Sequence, residues 1–126
     1  MTSDRHTRIV PMFFYLLAGH ALADFALQGD AMAACKCRKS SHPAAVGVPW
    51  YYWLTSHTLL HGGIVAAVVR AYGYEQHVAV GFGIAEAVVH WIIDYAKCAR
   101  LFGIHVDQFL HVACKAVWVG LLMVWW

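Results

Sequence analysis

Four pairs of polar residues, each spaced four apart, interrupt otherwise apolar stretches of this sequence: His20/Asp24, His57/His61, His90/Asp94 and Asp107/His111. Residues four apart lie on one face of an α-helix, one turn above each other. Both members of such a pair can reach one ion, as the two histidines of a His-Glu-x-x-His stretch do. Metal sites in helical bundles are assembled in this way, from inward-facing pairs on several helices. The set comprises five histidines and three aspartates and no cysteine, and nitrogen and oxygen donors suit zinc, iron or manganese rather than copper(I). Zinc takes four ligands, so eight suffice for two ions, or for one ion with an outer shell that orients its ligands. The expectation is a divalent metal, zinc first and iron or manganese as alternatives, held by His20, Asp24, His57, His61, His90, Asp94, Asp107 and His111. One of Asp24, Asp94 and Asp107 could instead act as a general base. Gln28, Glu86, Lys97 and Gln108 share the same stretches and are expected to orient ligands or to bind substrate.

The elements that must carry these pairs are membrane helices. Hydrophobic residues make up 61% of the 126-residue chain and charged residues only 13%, about half the usual share in a soluble domain. The spacing predicts helices over 9–28, 50–71, 76–99 and 104–126, each near the roughly 20 residues that cross a bilayer. A polar loop fills 29–49, with room for a short surface helix. Pro11 falls in the first turn of the first predicted helix, where proline is tolerated. Trp50, Tyr51, Tyr52 and Trp53, and Trp125 and Trp126 at the other end of the chain, have the character of interfacial anchors. No helix has a polar face wide enough to coat a soluble bundle. The length is that of one domain, here an all-α, four-helix transmembrane bundle with a buried His/Asp layer. The net charge of +2 is too small and scattered to argue for nucleic acid.

Depth supports convergence. The pairs fall late in the first helix, early in the second, late in the third and early in the fourth, which is one half of the membrane in an up-down-up-down bundle. That half adjoins Lys36, Arg38, Lys39, Lys97 and Arg100, against Arg5, Arg8 and Arg70 on the other side. The positive-inside rule therefore places the polar layer toward the cytoplasm. Arg5 and Arg8 before an apolar run, with Ala31-Met32-Ala33 beyond it, resemble a signal peptide, but His20 and Asp24 would fall within its apolar region. Cys35 and Cys37 are expected to be a free loop pair, and Cys98 and Cys114 small core residues. The spacing is not that of a disulfide framework. His6, His42, His77 and His105 are expected at the surface, and Gly62-Gly63 and Gly81-x-Gly83 at close helix contacts.

The motif His20-Ala-Leu-Ala-Asp24-Phe-Ala-Leu-Gln28, followed by His57-Thr-Leu-Leu-His61, His90-Trp-Ile-Ile-Asp94-Tyr-Ala-Lys97 and Asp107-Gln108-Phe-Leu-His111, resembles a family of uncharacterised small bacterial and phage membrane proteins, DUF3307. The resemblance covers about residues 12 to 120. More distantly, the His-x-x-x-Asp pairs resemble those of membrane proteins described as metal-dependent hydrolases. That likeness implies hydrolysis; the depth of the pairs near an interface and the chemistry of a two-metal site point to a lipid or phosphoester-type substrate, and the resemblance to DUF3307 implies a bacterial inner membrane. Two other classes compete: a metal or proton transporter, with Glu86 as a relay, and a non-catalytic membrane factor whose polar layer fixes helix packing or a homo-oligomer.

Overall fold

The computed structural model describes residues 2–124, with the side chains of 7–124, and is helical with no strand among them. Helix α1 spans Thr2–Ala21, a short α2 spans Asp30–Cys35, and α3, α4 and α5 span Trp50–Ala71, Gln76–Cys98 and Ile104–Val124. Trp125 and Trp126 lie outside the described residues, as do the side chains of Arg5 and His6. The four long helices form the expected all-α bundle around a buried His/Asp layer.

In the half that carries the four pairs the bundle is polar inside and apolar outside, the inverse of a soluble protein. Along α4 the outward positions are Ile84, Val88 and Ile92, each more than half exposed, while Glu86, His90 and Asp94 are buried. Leu59 on α3 and Phe109 on α5 likewise face out. Three helical stretches, Thr7–Ala26, Gln76–Cys98 and Ile104–Val124, are long and apolar enough to cross a membrane. Helix α3 matches them in length, but Thr55, Ser56, His57, Thr58 and His61 lower the apolar content of its first half.

Helices α3 and α4 form a tight hairpin. Its turn uses Gly73 at φ 91°, a left-handed conformation that glycine adopts without a Cβ clash. Midway along, Gly62 and Gly83 bring the two backbones together: a Cβ on Gly62 would stand 2.4 Å from the Gly83 carbonyl oxygen, and one on Gly83 would stand 2.7 Å from that of Gly62. The α4–α5 turn closes on Arg100 at φ 62°. Arg100 N donates to Lys97 O at 2.8 Å and Leu101 N to Ala96 O at 3.1 Å, the paired bonds that end a helix at a left-handed residue.

Along the bundle axis the interior divides in two. Met12, Leu16, Val65, Val69, Ala79, Phe82, Trp118, Val119 and Leu122 pack together in the half that holds the α3–α4 turn. Tyr74 caps that half by donating its hydroxyl to Leu122 O at 2.8 Å. The other half holds the histidines and aspartates.

The first helix departs from the expected 9–28. It begins earlier, so Pro11 lies inside α1, and it ends at Ala21 in a π-helical turn over Leu22–Ala26, closed by Leu27 N to Leu22 O at 2.9 Å. Such wide turns concentrate at functional sites, and this one carries Asp24. The cysteine expectations are also corrected. Cys37 and Cys98 form a disulfide, with their Cα atoms 5.2 Å apart, while Cys35 and Cys114 are free thiols. No short-range spacing announces a bridge between residues 61 apart in sequence. The pairing arises because the loop after α1 folds back over the end of α4.

Candidate metal centre

All eight residues of the four pairs converge in one buried layer, each at most 9% exposed. The His90 ring lies at its middle, with centroids 3.8 Å from His61, 4.0 Å from His111, 5.2 Å from His57 and 5.9 Å from His20. Three groups of potential ligand atoms lie within 4.8 Å of one another: Asp24, His57, His61 and His90; His20, His90 and His111; and Asp94, Asp107 and His111. Zinc ligands stand about 2.0–2.2 Å from the ion, so these atoms need only small side-chain adjustments to share one.

Asp24, aimed inward by the π turn, lies 3.0 Å from His61 Nε2 and 3.3 Å from His57 Nε2 through Oδ1, and 3.4 Å from His20 Nε2 through Oδ2. Gln108 bridges two helices by donating from Nε2 to Asp24 Oδ2 at 3.1 Å and to Asp107 Oδ2 at 3.2 Å. Its Oε1 lies 3.4 Å from His20 Nε2. His111 Nε2 stands between two carboxylates, 3.3 Å from Asp94 Oδ1 and 3.5 Å from Asp107 Oδ1. Lys97 reaches Asp107 Oδ2 at 3.2 Å, and Gln28 donates to the backbone carbonyl of Asp24 at 3.1 Å.

Glu86 lies a turn deeper than the layer and accepts hydrogen bonds from four helix-borne groups, among them the Cys114 thiol at 3.7 Å from Oε2. Lys115 Nζ donates to Oε1, Trp118 Nε1 donates to Oε2 at 2.6 Å, and His90 Nδ1 lies 3.3 Å from Oε1. A carboxylate on one imidazole nitrogen fixes the ring and turns the other nitrogen toward a metal. That other nitrogen, His90 Nε2, has no hydrogen-bond partner, and neither do His20 Nδ1 or His111 Nδ1, while His57 Nε2 and Asp107 Oδ1 make only misaligned contacts at 3.3 Å with Asp24 and 3.5 Å with His111. Native proteins rarely bury polar atoms without partners, and each such atom costs about 1–3 kcal/mol. Their concentration in one layer makes it a place that could hold a cation.

Formal charge distinguishes the parts of the layer. Four carboxylates (Asp24, Glu86, Asp94 and Asp107) face three buried or half-buried ammonium groups: Lys36 on Asp94 at 2.7 Å, Lys97 on Asp107, and Lys115 on Glu86. Asp24 is the carboxylate left with only histidines and an amide around it. The group Asp24, His57, His61 and His90 is therefore the part of the layer with the greatest need of a positive ion.

Two of the lysines were not legible as site residues. Lys36 extends from the end of α2 into the layer, bonding Asp94 and Gln28 Oε1 at 2.8 Å, and is only 5% exposed. It stood in the sequence as a loop charge. Lys115 carried a signal that sequence reasoning passed over. It lies four residues after His111 on the same helix face, inside an apolar segment where a charge is functional by default. The expected surface histidines stay out of the layer: His77 and His105 are exposed, and His42 caps a short turn through Nδ1 to Ala44 N at 3.1 Å.

A family model described as a protein of unknown function, DUF3307, matches residues 12–125. No curated protein and no solved structure matches the chain, so the more distant likeness to hydrolases has no support from a comparison.

Proposed function

The chain belongs to the DUF3307 family, and we propose that it is a membrane-embedded metal protein that hydrolyses a phosphoester or lipid-type bond at the membrane interface. The observation that carries the metal is Asp24 with no ammonium group beside it, within ligand distance of His57, His61 and His90, and with His90 Nε2 buried without a hydrogen bond. When bound there, a divalent ion supplies a water of lowered pKa and a positive charge for oxygens that become negative during hydrolysis. The remaining groups have separate tasks. His111, held between Asp94 and Asp107, is placed to accept a proton, and either carboxylate steadies the imidazolium that results. Gln108 ties the metal half of the layer to the proton-accepting half through Asp24 and Asp107. Lys36 and Lys97 stand where an anionic head group would enter. The membrane proposed is the bacterial inner membrane, as the family resemblance implies.

The apolar half of the bundle favours binding and catalysis over transport. Below Glu86 and Lys115 the described interior is lined by the apolar side chains of Phe82, Trp118, Val65, Val69 and Leu122, which offer an ion no ligands on the way to the opposite face.

The test is elemental analysis of the detergent-purified full chain beside a His57→Ala/His61→Ala variant, followed by turnover of phosphomonoesters, phosphodiesters and phospholipids by the metal-loaded protein. Bound zinc, iron or manganese that the variant loses, together with turnover that follows metal content, supports the proposal. A metal-bound protein that turns over none of these substrates sinks the hydrolase, and a protein that binds no metal after add-back sinks the metal site.

A further inference from the structure

The disulfide decides which compartment the site meets. Cys37 directly follows Lys36, whose ammonium lies in the polar layer on Asp94, and Cys98 lies one helical turn beyond Asp94 on α4. The Cys37–Cys98 bridge therefore lies at the end of the bundle nearer the polar layer, here called the mouth of the site, where the loop after α1 meets the end of α4. Disulfides form and persist in oxidising compartments and are rare where glutathione and thioredoxin keep thiols reduced. Closing this one removes two electrons and two protons from the two thiols, which a disulfide-donating oxidant of that compartment accepts by thiol–disulfide exchange.

The charge argument for the opposite orientation weakens once the structure is in hand. Of the five cationic residues on the mouth side, Lys36 and Lys97 are bound to Asp94 and Asp107 within the site and are not free to act as topological signals. Arg38, Lys39 and Arg100 remain there, against Arg5, Arg8 and Arg70 on the other side. Three against three gives the positive-inside rule nothing to choose between, and the disulfide is left to decide.

We infer that the mouth of the metal centre faces the oxidising, non-cytoplasmic side of the membrane, so that both its metal and its substrate arrive from that side, and that residues 7 and 124 both face the cytoplasm. This rests on the metal-centre reading for what the mouth admits, but not for its direction.

The experiment uses the full chain with Cys35→Ser and Cys114→Ser, leaving Cys37 and Cys98, in bacterial spheroplasts with an intact inner membrane. The probe is a membrane-impermeant maleimide, added before and after a membrane-impermeant reductant. The expected result is no labelling before reduction and two labelled thiols per chain after it. Labelling before reduction, or labelling that requires the membrane to be permeabilised, overturns the inference. Should the doubly substituted chain fail to accumulate, wild-type fusions after residue 126 give the same answer. Green fluorescent protein is expected to fluoresce there and alkaline phosphatase to be inactive, and the reverse pattern overturns the orientation. Metal content measured in the same membranes separates the two proposals, since a chain oriented as inferred but free of metal would refute only the metal centre.

Discussion

Replacing Gly62 by alanine tests whether helix spacing sets the geometry of the metal layer, because its neighbour supplies a built-in control. A Cβ at Gly62 would lie 2.4 Å from the Gly83 carbonyl oxygen and 3.1 Å from Ala87 Cβ, whereas one at Gly63 meets nothing within 4 Å. Real Cβ contacts essentially never fall below 3.0 Å, so Gly62→Ala requires α3 and α4 to separate by at least 3.0 − 2.4 = 0.6 Å at that point. The atom to be displaced is backbone and cannot swing aside. Overpacking of this kind costs about 1–3 kcal/mol, while alanine for glycine in an open helical position gains about 0.5–1 kcal/mol. That gain is common to both positions, so the two adjacent, chemically identical substitutions should differ by the overpacking alone, about 1–3 kcal/mol. Thermal unfolding in detergent, followed by tryptophan fluorescence, should resolve the difference at about 3–6 °C for each kcal/mol in a chain of this size. His61 and His90, whose ring centroids are 3.8 Å apart, lie on the same two helices, so metal content should fall with Gly62→Ala and hold with Gly63→Ala. Gly83→Ala against Gly81→Ala repeats the comparison from the other helix, since Gly81 is also open. If the two alanines of either pair melt together and carry equal metal, α3 and α4 do not cross as described.

Glu86→Gln should weaken metal binding by about 10–100-fold, the usual effect of losing a group that orients a ligand, and competition with a fluorescent chelator would show it; unchanged affinity would remove Glu86 from the site. Lys115→Met leaves Glu86 buried without its cation and should cost about 3–5 kcal/mol, whereas Glu86→Leu/Lys115→Met should recover most of that loss. A double variant no more stable than the single one would show that the pair does not act as a unit. Lys36→Met frees Asp94 of an ammonium at 2.7 Å, so a second ion on Asp94, Asp107 and His111 should bind more tightly and the metal-free protein should unfold more easily. Calorimetric titration with zinc showing weaker binding would refute the view of Lys36 as an internal competitor.

What the sequence made legible follows from periodicity. The i, i+4 pairs state their helix face directly, and the alternation of early and late positions along four antiparallel helices states their common depth. The bundle, the convergence of His20, Asp24, His57, His61, His90, Asp94, Asp107 and His111, and the glycine contact between α3 and α4 could all be read on those two grounds. The π turn could not, because Leu22–Ala26 has no residue that forbids an ordinary α-helix; the wide turn is a tertiary outcome of bringing Asp24 onto His61 at 3.0 Å. Lys36 and the Cys37–Cys98 bridge were hidden for a related reason. Both depend on how an irregular loop folds back over the helix ends, and loops carry no repeating pattern from which a contact 58 or 61 residues away could be inferred.

These late-found groups change the chemistry expected of the site. A layer of five histidines and three aspartates, taken from the sequence alone, suffices for two ions or for one with an outer shell, and nothing in it ranks one set of ligands above another. With Lys36 on Asp94 and Lys97 on Asp107, the two halves of the layer are not equivalent. One already carries its positive charges and the other, around Asp24, does not. A first ion belongs on Asp24, His57, His61 and His90. A second, on Asp94, Asp107 and His111, would have to displace ammonium groups and should bind more weakly. Zinc titration of the metal-free protein should therefore give two separated steps, or a single one. Two equal, indistinguishable sites would mean that the lysines do not set the order, and the division of the layer into a metal half and a proton-accepting half would fall with it.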